Sequence, residues 1–149
     1  MTKIRKIFFL LTSTVIGVAC SDEEYEAFLP DVYVDFQFSL SYPPYTQLRD
    51  MYPNAIKVKE HEQGYNLHGI ILVRLSENDF RAYDATCTRN IEKETSALTL
   101  SEDRFTAHCP KCGAEYAIQQ AGAYEKNGKY RLQRYRVLAV NDYVKRVAN

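Results

Sequence analysis

Three cysteines carry most of the chemistry open to this sequence. Cys87 closes the segment Ala82-Tyr83-Asp84-Ala85-Thr86-Cys87-Thr88-Arg89, and Cys109 and Cys112 sit in Ala107-His108-Cys109-Pro110-Lys111-Cys112-Gly113-Ala114. Thiolates ligate soft and borderline metal ions. A Cys-x-x-Cys-Gly turn suits such a site, because Gly113 can adopt a positive φ and let backbone N–H groups turn toward the sulfurs. Three is an odd number, so disulfides within one chain cannot pair them all. In an oxidising compartment an idle Cys pair tends to close. These thiols therefore call for a shared metal centre, or for a disulfide that leaves one of them over.

Such a centre needs two loops presented side by side, and the sequence supplies short strands to hold them. Val32–Phe38 alternates apolar and polar residues with period two, as a strand with one buried face does. The Ser41-Tyr42-Pro43-Pro44-Tyr45 run ends it, and Tyr45–Tyr52 suits a short helical turn stopped at Pro53. Ala55–Lys59 reads as a strand and His61–Asn66 as a turn. Gly69–Leu75 is the most continuous apolar strand and is expected at the centre of the sheet. Ser76–Asp79 reads as a hairpin turn and Phe80–Asp84 as the returning strand. Ala97–Leu100, Phe105–His108, Ala114–Ile118, Tyr130–Asn141 and Tyr143–Val147 complete the set, with Asn141-Asp142 as a second hairpin turn. Many short strands at this spacing predict an all-β antiparallel sandwich or barrel. Twelve Tyr and no Trp agree with a β-rich chain.

The N-terminus bears on where this chemistry would operate. Lys3, Arg5 and Lys6 precede the largely apolar run Ile7–Ala19, a charged n-region followed by an h-region of signal-peptide length. The run is too short to span about 30 Å of hydrocarbon as a helix. Gly17-Val18-Ala19-Cys20 resembles a lipobox, with Gly17 where a Leu-like residue is usual. The resemblance implies lipidation of Cys20, which would become the mature N-terminus. Several acyl chains on one residue give firm membrane anchoring. Ser21-Asp22-Glu23-Glu24 resembles the acidic tag that sends lipoproteins to the cell surface in one group of Gram-negative bacteria; a solvated tether explains it equally. The expected organisation is a signal peptide at 1–19, a lipidated tether at 20–31 and one β domain at 32–149. The expected location is the outer membrane, lipid-anchored, on its surface or its periplasmic face.

Charge excludes one class of partner. Three of the 19 cations fall in residues 1–19, so their removal leaves a small anionic excess against 19 acidic residues. Such a chain has no basic surplus to neutralise phosphates, which argues against nucleic-acid binding. About 130 residues make one domain with a single core. A protein partner is not identified by any motif.

The two Cys segments and their surroundings resemble a Rieske [2Fe–2S] domain. The carriers are a strand like Gly69–Leu75, then Phe80–Asp84, a Cys-x-His-type loop at Cys87, and a Cys-Pro-x-His-Gly-type loop at Cys109. A Gly-bearing segment and a closing strand like Arg131–Val137 follow. The likeness is closest to Rieske-like lipoproteins of the group with the acidic export tag. It implies an iron–sulfur cluster and one-electron transfer, with two Cys on one iron and two His on the other. The ligand set departs from that pattern. Cys87 and Cys109 match the two Cys, but Arg89 stands at the first His position and a guanidinium is not a metal ligand. Cys112 stands at the second.

Three readings of Cys87, Cys109 and Cys112 follow: a metal-free Rieske-like fold, a zinc site with His108 or an outside group as fourth ligand, and an atypical iron–sulfur centre. The functional expectation is a cell-envelope lipoprotein with a Rieske-like domain that binds a cluster. The alternative is a metal-free or zinc-stapled binding or structural module. No nucleophile–base arrangement or phosphate loop marks an enzyme. His61 and His68 read as solvated loop histidines, and the strand pleat should turn His108 away from Cys109. Asp84 reads as a turn residue whose carboxylate caps local N–H groups. Glu60 and Glu62 form no acid–base pair, and Lys57, Lys59, Arg131, Arg134 and Arg136 read as a solvated face. Arg89 is expected beside the sulfurs, lowering their pKa. The loops at Cys87 and Cys109–Cys112 must meet if any metal reading is to hold.

Overall fold

The structure is a computed structural model that describes residues 29–89, 91 and 94–149. The signal peptide, Cys20 and the acidic tag lie outside the described residues. Among these residues no helix is long and apolar enough to cross a membrane.

Among the described residues the fold is all-β apart from one short α-helix and a 3-10 turn at Tyr65–Leu67. Nine strands run in chain order: β1 (Asp35–Ser39), β2 (Asn54–Val58), β3 (Ile70–Arg74), β4 (Phe80–Asp84), β5 (Thr99–Leu100), β6 (Ala107–His108), β7 (Glu115–Tyr116), β8 (Arg134–Ala139) and β9 (Val144–Ala148). The helix α1 (Thr46–Asp50) lies between β1 and β2. Six strands make one antiparallel sheet in the order β1-β9-β8-β4-β3-β2, and β5-β6-β7 make a smaller one. The large sheet curls into a half-barrel. This is the expected antiparallel sandwich or barrel class.

The Ile70-Ile71-Leu72-Val73 run explains itself through burial. Side chains alternate across a strand, and both faces of β3 are covered. Ile70 and Leu72 pack with Phe36, Phe38, Ile56, Val58 and Tyr135. Ile71 and Val73 pack with Tyr83, Leu98, Tyr116 and Ile118. Buried apolar side chains contribute about 1.5–3 kcal/mol each, so neither face of β3 tolerates a polar residue. The expectation that this strand is central is corrected: β3 is next to the edge strand β2, and β4 and β8 hold the middle. Its continuity reflects the cover that β5–β7 and their loops place over its second face.

The turns follow from local chemistry. β3 and β4 pair as a hairpin, closed by the Leu75 N–H donating to the Asp79 carbonyl at 2.9 Å. β8 and β9 pair likewise, and the Asn141 side chain accepts from the Tyr143 and Val144 N–H groups at 2.9 and 2.7 Å. Asp84 ends β4 wholly buried. Its carboxylate accepts from the N–H groups of Tyr65 and Thr86 and from the Tyr135 hydroxyl, at 2.7, 2.9 and 2.8 Å. The local cap was legible in the sequence; the tie to β8 was not. Burial first, and then the Asp84 charge, hold the Tyr135 phenol well above its usual range.

Candidate metal centre

The chain reaches Cys87 through β4. After Asp84 it leaves the large sheet, and Thr86 pairs with Ala97 in an isolated bridge. The Cys87 N–H donates to the Ser96 carbonyl at 2.9 Å, which fixes the thiol beneath that segment. Cys109 and Cys112 sit on the turn between β6 and β7. There the Gly113 N–H donates to the Cys109 carbonyl at 3.0 Å and the Cys109 N–H to the Ala114 carbonyl at 2.8 Å. Gly113 has φ +71° with open space around it, so its backbone conformation, not crowding, calls for glycine.

The two loops meet. The Sγ atoms of Cys87, Cys109 and Cys112 all lie within 4.8 Å of one another, and Cys87 and Cys112 are 3.6 Å apart. All three thiols are free. Cys87 and Cys109 are buried and Cys112 is half-buried, so the group opens toward solvent on the Cys112 side. This is a three-thiol group able to hold a metal ion.

Tyr116 organises the Cys87 side. Its hydroxyl lies 3.5 Å from Cys87 Sγ and 3.1 Å from Thr88 Oγ1, and it accepts from the N–H groups of Thr88 and Arg89 at 3.2 and 3.1 Å. One buried phenol thus serves a thiol and two loop amides. Burial pushes the Tyr116 phenol up, and the nearby Cys87 sulfur adds to it, so the group stays a neutral hydrogen-bonding centre.

The thiols differ in their surroundings. Burial pushes the Cys87 thiol up to about 12; the Tyr116 hydroxyl opposes this and the neighbouring Cys109 and Cys112 sulfurs reinforce it. Burial also pushes Cys109 up, but four hydrogen bonds outweigh it. They come from the Cys112 N–H, the Ser96 hydroxyl, the Lys111 N–H and the Cys112 thiol, and they bring Cys109 down to about 7. The turn therefore aims backbone donors at one sulfur, as expected of the Gly113 geometry.

No family model and no curated protein matches this chain. The reading of the site thus rests on its residues.

The Arg89 guanidinium is paired with the buried carboxylate of Glu125, and the Arg89 carbonyl accepts from the Cys87 thiol at 3.5 Å. Glu125 and Ser96 are site residues that sequence reasoning missed. Ser96 lies in a polar stretch without pattern, and only Gly128 hinted at Glu125, since a side chain there would occupy the space of the Glu125 carboxylate.

His108 pairs through its backbone with Thr99 and Glu115 in β6 and does not join the three thiols. The pleat separates it from Cys109, as expected. His61 and His68 are corrected: neither is a free surface group. His61 Nε2 meets the Tyr45 hydroxyl at 2.8 Å, its ring stacked 4.3 Å from Phe36. His68 Nδ1 meets Thr86 Oγ1 at 2.9 Å. Lys57 also leaves the solvated set, because its Nζ donates to the Leu98 carbonyl at 2.6 Å.

Proposed function

We propose that this chain is a cell-envelope lipoprotein, held at the outer membrane through Cys20, whose β domain is a non-enzymatic metal-binding module. One observation carries the metal part: Cys87, Cys109 and Cys112 converge within 4.8 Å. Two thiolates on one ion, each about 2.3 Å from it, stand roughly 3.5–4 Å apart. The 3.6 Å between Cys87 and Cys112 fits a single shared ion. Thiolates on different irons of a cluster are held apart by its bridging sulfides, so this spacing favours one ion.

The anchoring part rests on Lys3, Arg5, Lys6, the Ile7–Ala19 run and the lipobox-like Gly17–Cys20. The absence of a basic surplus supports an occupant other than nucleic acid.

A second reading has its own support. The two Cys loops lie side by side beyond one end of β4, as the Rieske-like alignment requires, and this favours a Rieske-like domain. Arg89 at a His position and its pairing with Glu125 weigh against a conventional cluster there.

Anaerobic purification with metal analysis and a visible spectrum tests both. The expected result is about one metal ion per chain without acid-labile sulfide. Iron with equal sulfide and a cluster spectrum would replace the single-ion reading by the iron–sulfur one. Protein that stays metal-free after loading, with its thiols reduced, would overturn both.

A further inference from the structure

We infer that the three-thiol centre is made for a thiophilic ion satisfied by three sulfurs, Cu(I) or trivalent arsenic, in preference to Zn²⁺. This rests on the metal-binding reading above and names its ion class.

The first ground is the donor count. Among the described residues, no fourth His, Cys, Asp or Glu comes within mutual reach of the three sulfurs. The neighbours that could have served are engaged elsewhere. Tyr116 spends its hydroxyl on Cys87 and on the Thr88 and Arg89 amides. The Ser96 hydroxyl donates to the Ala97 carbonyl at 3.5 Å. Glu125 is committed to Arg89 and Glu94 to Lys111. Structural zinc favours four closed protein ligands. Thiolates serve both Zn²⁺ and Cu(I), so it is the count of three donors, not their softness, that favours the three-coordinate ion.

The second ground is shape. Three sulfurs in a plane around one ion, each at about 2.3 Å, are roughly 4 Å apart, and a flattened pyramid brings them closer. The 3.6 Å pair lies in that range, and the 4.8 Å limit on all three sulfurs leaves a closure of under about 1 Å for the ion to draw them together. Cys87 and Cys109 are 1 % and 2 % exposed, so among the described residues the solvent-facing side of the group is Cys112.

The chemistry balances without an added oxidant or reductant. Arsenous acid reacts with three thiols to form three As–S bonds; three As–O bonds break and three waters leave. Cu(I) delivered from a chelate exchanges its chelate donors for thiolates, whose protons pass to solvent, and stays Cu(I).

The test uses the full chain in detergent under anaerobic conditions, with three probes: bicinchoninate-buffered Cu(I), arsenite and Zn²⁺. The expected outcome is one Cu(I) or one arsenic per chain, an X-ray absorption spectrum with three sulfur scatterers, and displacement of Zn²⁺ by one equivalent of the preferred ion. Comparing the first two probes decides between copper and arsenic. Cys112→Ser should lower that affinity at least tenfold with the far-UV spectrum unchanged, and Glu92→Gln, which removes the carboxylate five residues after Cys87 in the sequence, should leave it unchanged. Zn²⁺ retained against both competitors, a fourth nitrogen or oxygen scatterer, or a loss of affinity in Glu92→Gln would overturn the inference while leaving the metal-binding reading intact. Failure to bind any of the three would overturn that reading itself.

Discussion

Arg89 and Glu125 form an ion pair between the loop that carries Cys87 and the Gly-bearing loop before β8, and the carboxylate is the buried partner. Glu125 also fills the space that a side chain at residue 128 would need. Arg89→Met leaves that carboxylate buried without its cation. Removing one partner of a fully buried pair costs about 3–5 kcal/mol. The Arg89 side chain is 34 % exposed, so solvent lowers the expected loss to about 2–3 kcal/mol. Adding Glu125→Leu should recover most of it, and Gly128→Ala should destabilise in the same direction. Urea unfolding measures all three. Equal stabilities for Arg89→Met and the unmodified chain would mean that the pair does not hold the loop.

Tyr116→Phe removes the acceptor shared by the Thr88 and Arg89 amides. Leaving buried N–H groups without a partner costs about 1–3 kcal/mol. The variant should lose stability in that range, and its Thr88 and Arg89 amides should exchange with deuterium faster than those of β3. Unchanged exchange at those two amides would show that another acceptor replaces the phenol.

Lys57 gives a pH signature. Burial is the main cause that brings its ammonium from 10.5 down to about 8; the neighbouring Lys59 adds to this and Asp84 opposes it. Below about pH 8 the folded and unfolded chains both hold the proton, and the penalty for burying the charge is fully present. Between about 8 and 10.5 the unfolded chain keeps a proton that the folded chain has lost, so this group's contribution to stability rises with pH. Lys57→Met removes that slope. Subtracting its stability from that of the unmodified chain cancels the tyrosines and cysteines that titrate in the same region. The difference should change steadily from pH 7.5 to 10 in favour of the unmodified chain. A flat difference would sink the assignment.

Lipidation is read directly. A radioactive fatty acid should label the chain, and Cys20→Ala should abolish the label; persistent label in that variant would overturn the lipoprotein proposal. Alanine at Asp22, Glu23 and Glu24 should keep the lipid and remove cleavage by external protease. An unchanged protease pattern would leave the acidic run as a plain tether.

Strand existence was legible because the strands carry a two-residue alternation or, in β3, a continuous apolar run. Phe80–Asp84 coincides with β4 from end to end, while Tyr130–Asn141 shrinks to Arg134–Ala139. Its first residues form a bridge between Tyr124 and Arg131 and hydrogen bonds with the preceding loop instead. The convergence of Cys87 with Cys109 and Cys112 was what the Rieske-like resemblance implied, and the structure brings the three sulfurs together. The fate of Arg89 did not, because its partner lies 36 residues away in a loop without periodicity. His61 and His68 were missed for a related reason. Turn residues carry no pattern that reveals which side chains tertiary packing will bring onto them.

The large sheet parts the apolar side chains into two clusters. Phe36, Leu48, Tyr135 and Val147 lie on one side, and Leu98, Tyr116, Ile118 and the buried cysteines on the other. Each side can then behave as its own cooperative unit, since local opening follows contiguous packing. The three thiols belong to the second of these units and β1, β8 and β9 to the first. An ion held by the thiols would thus slow hydrogen exchange on the β5–β7 side more than in β1, β8 and β9.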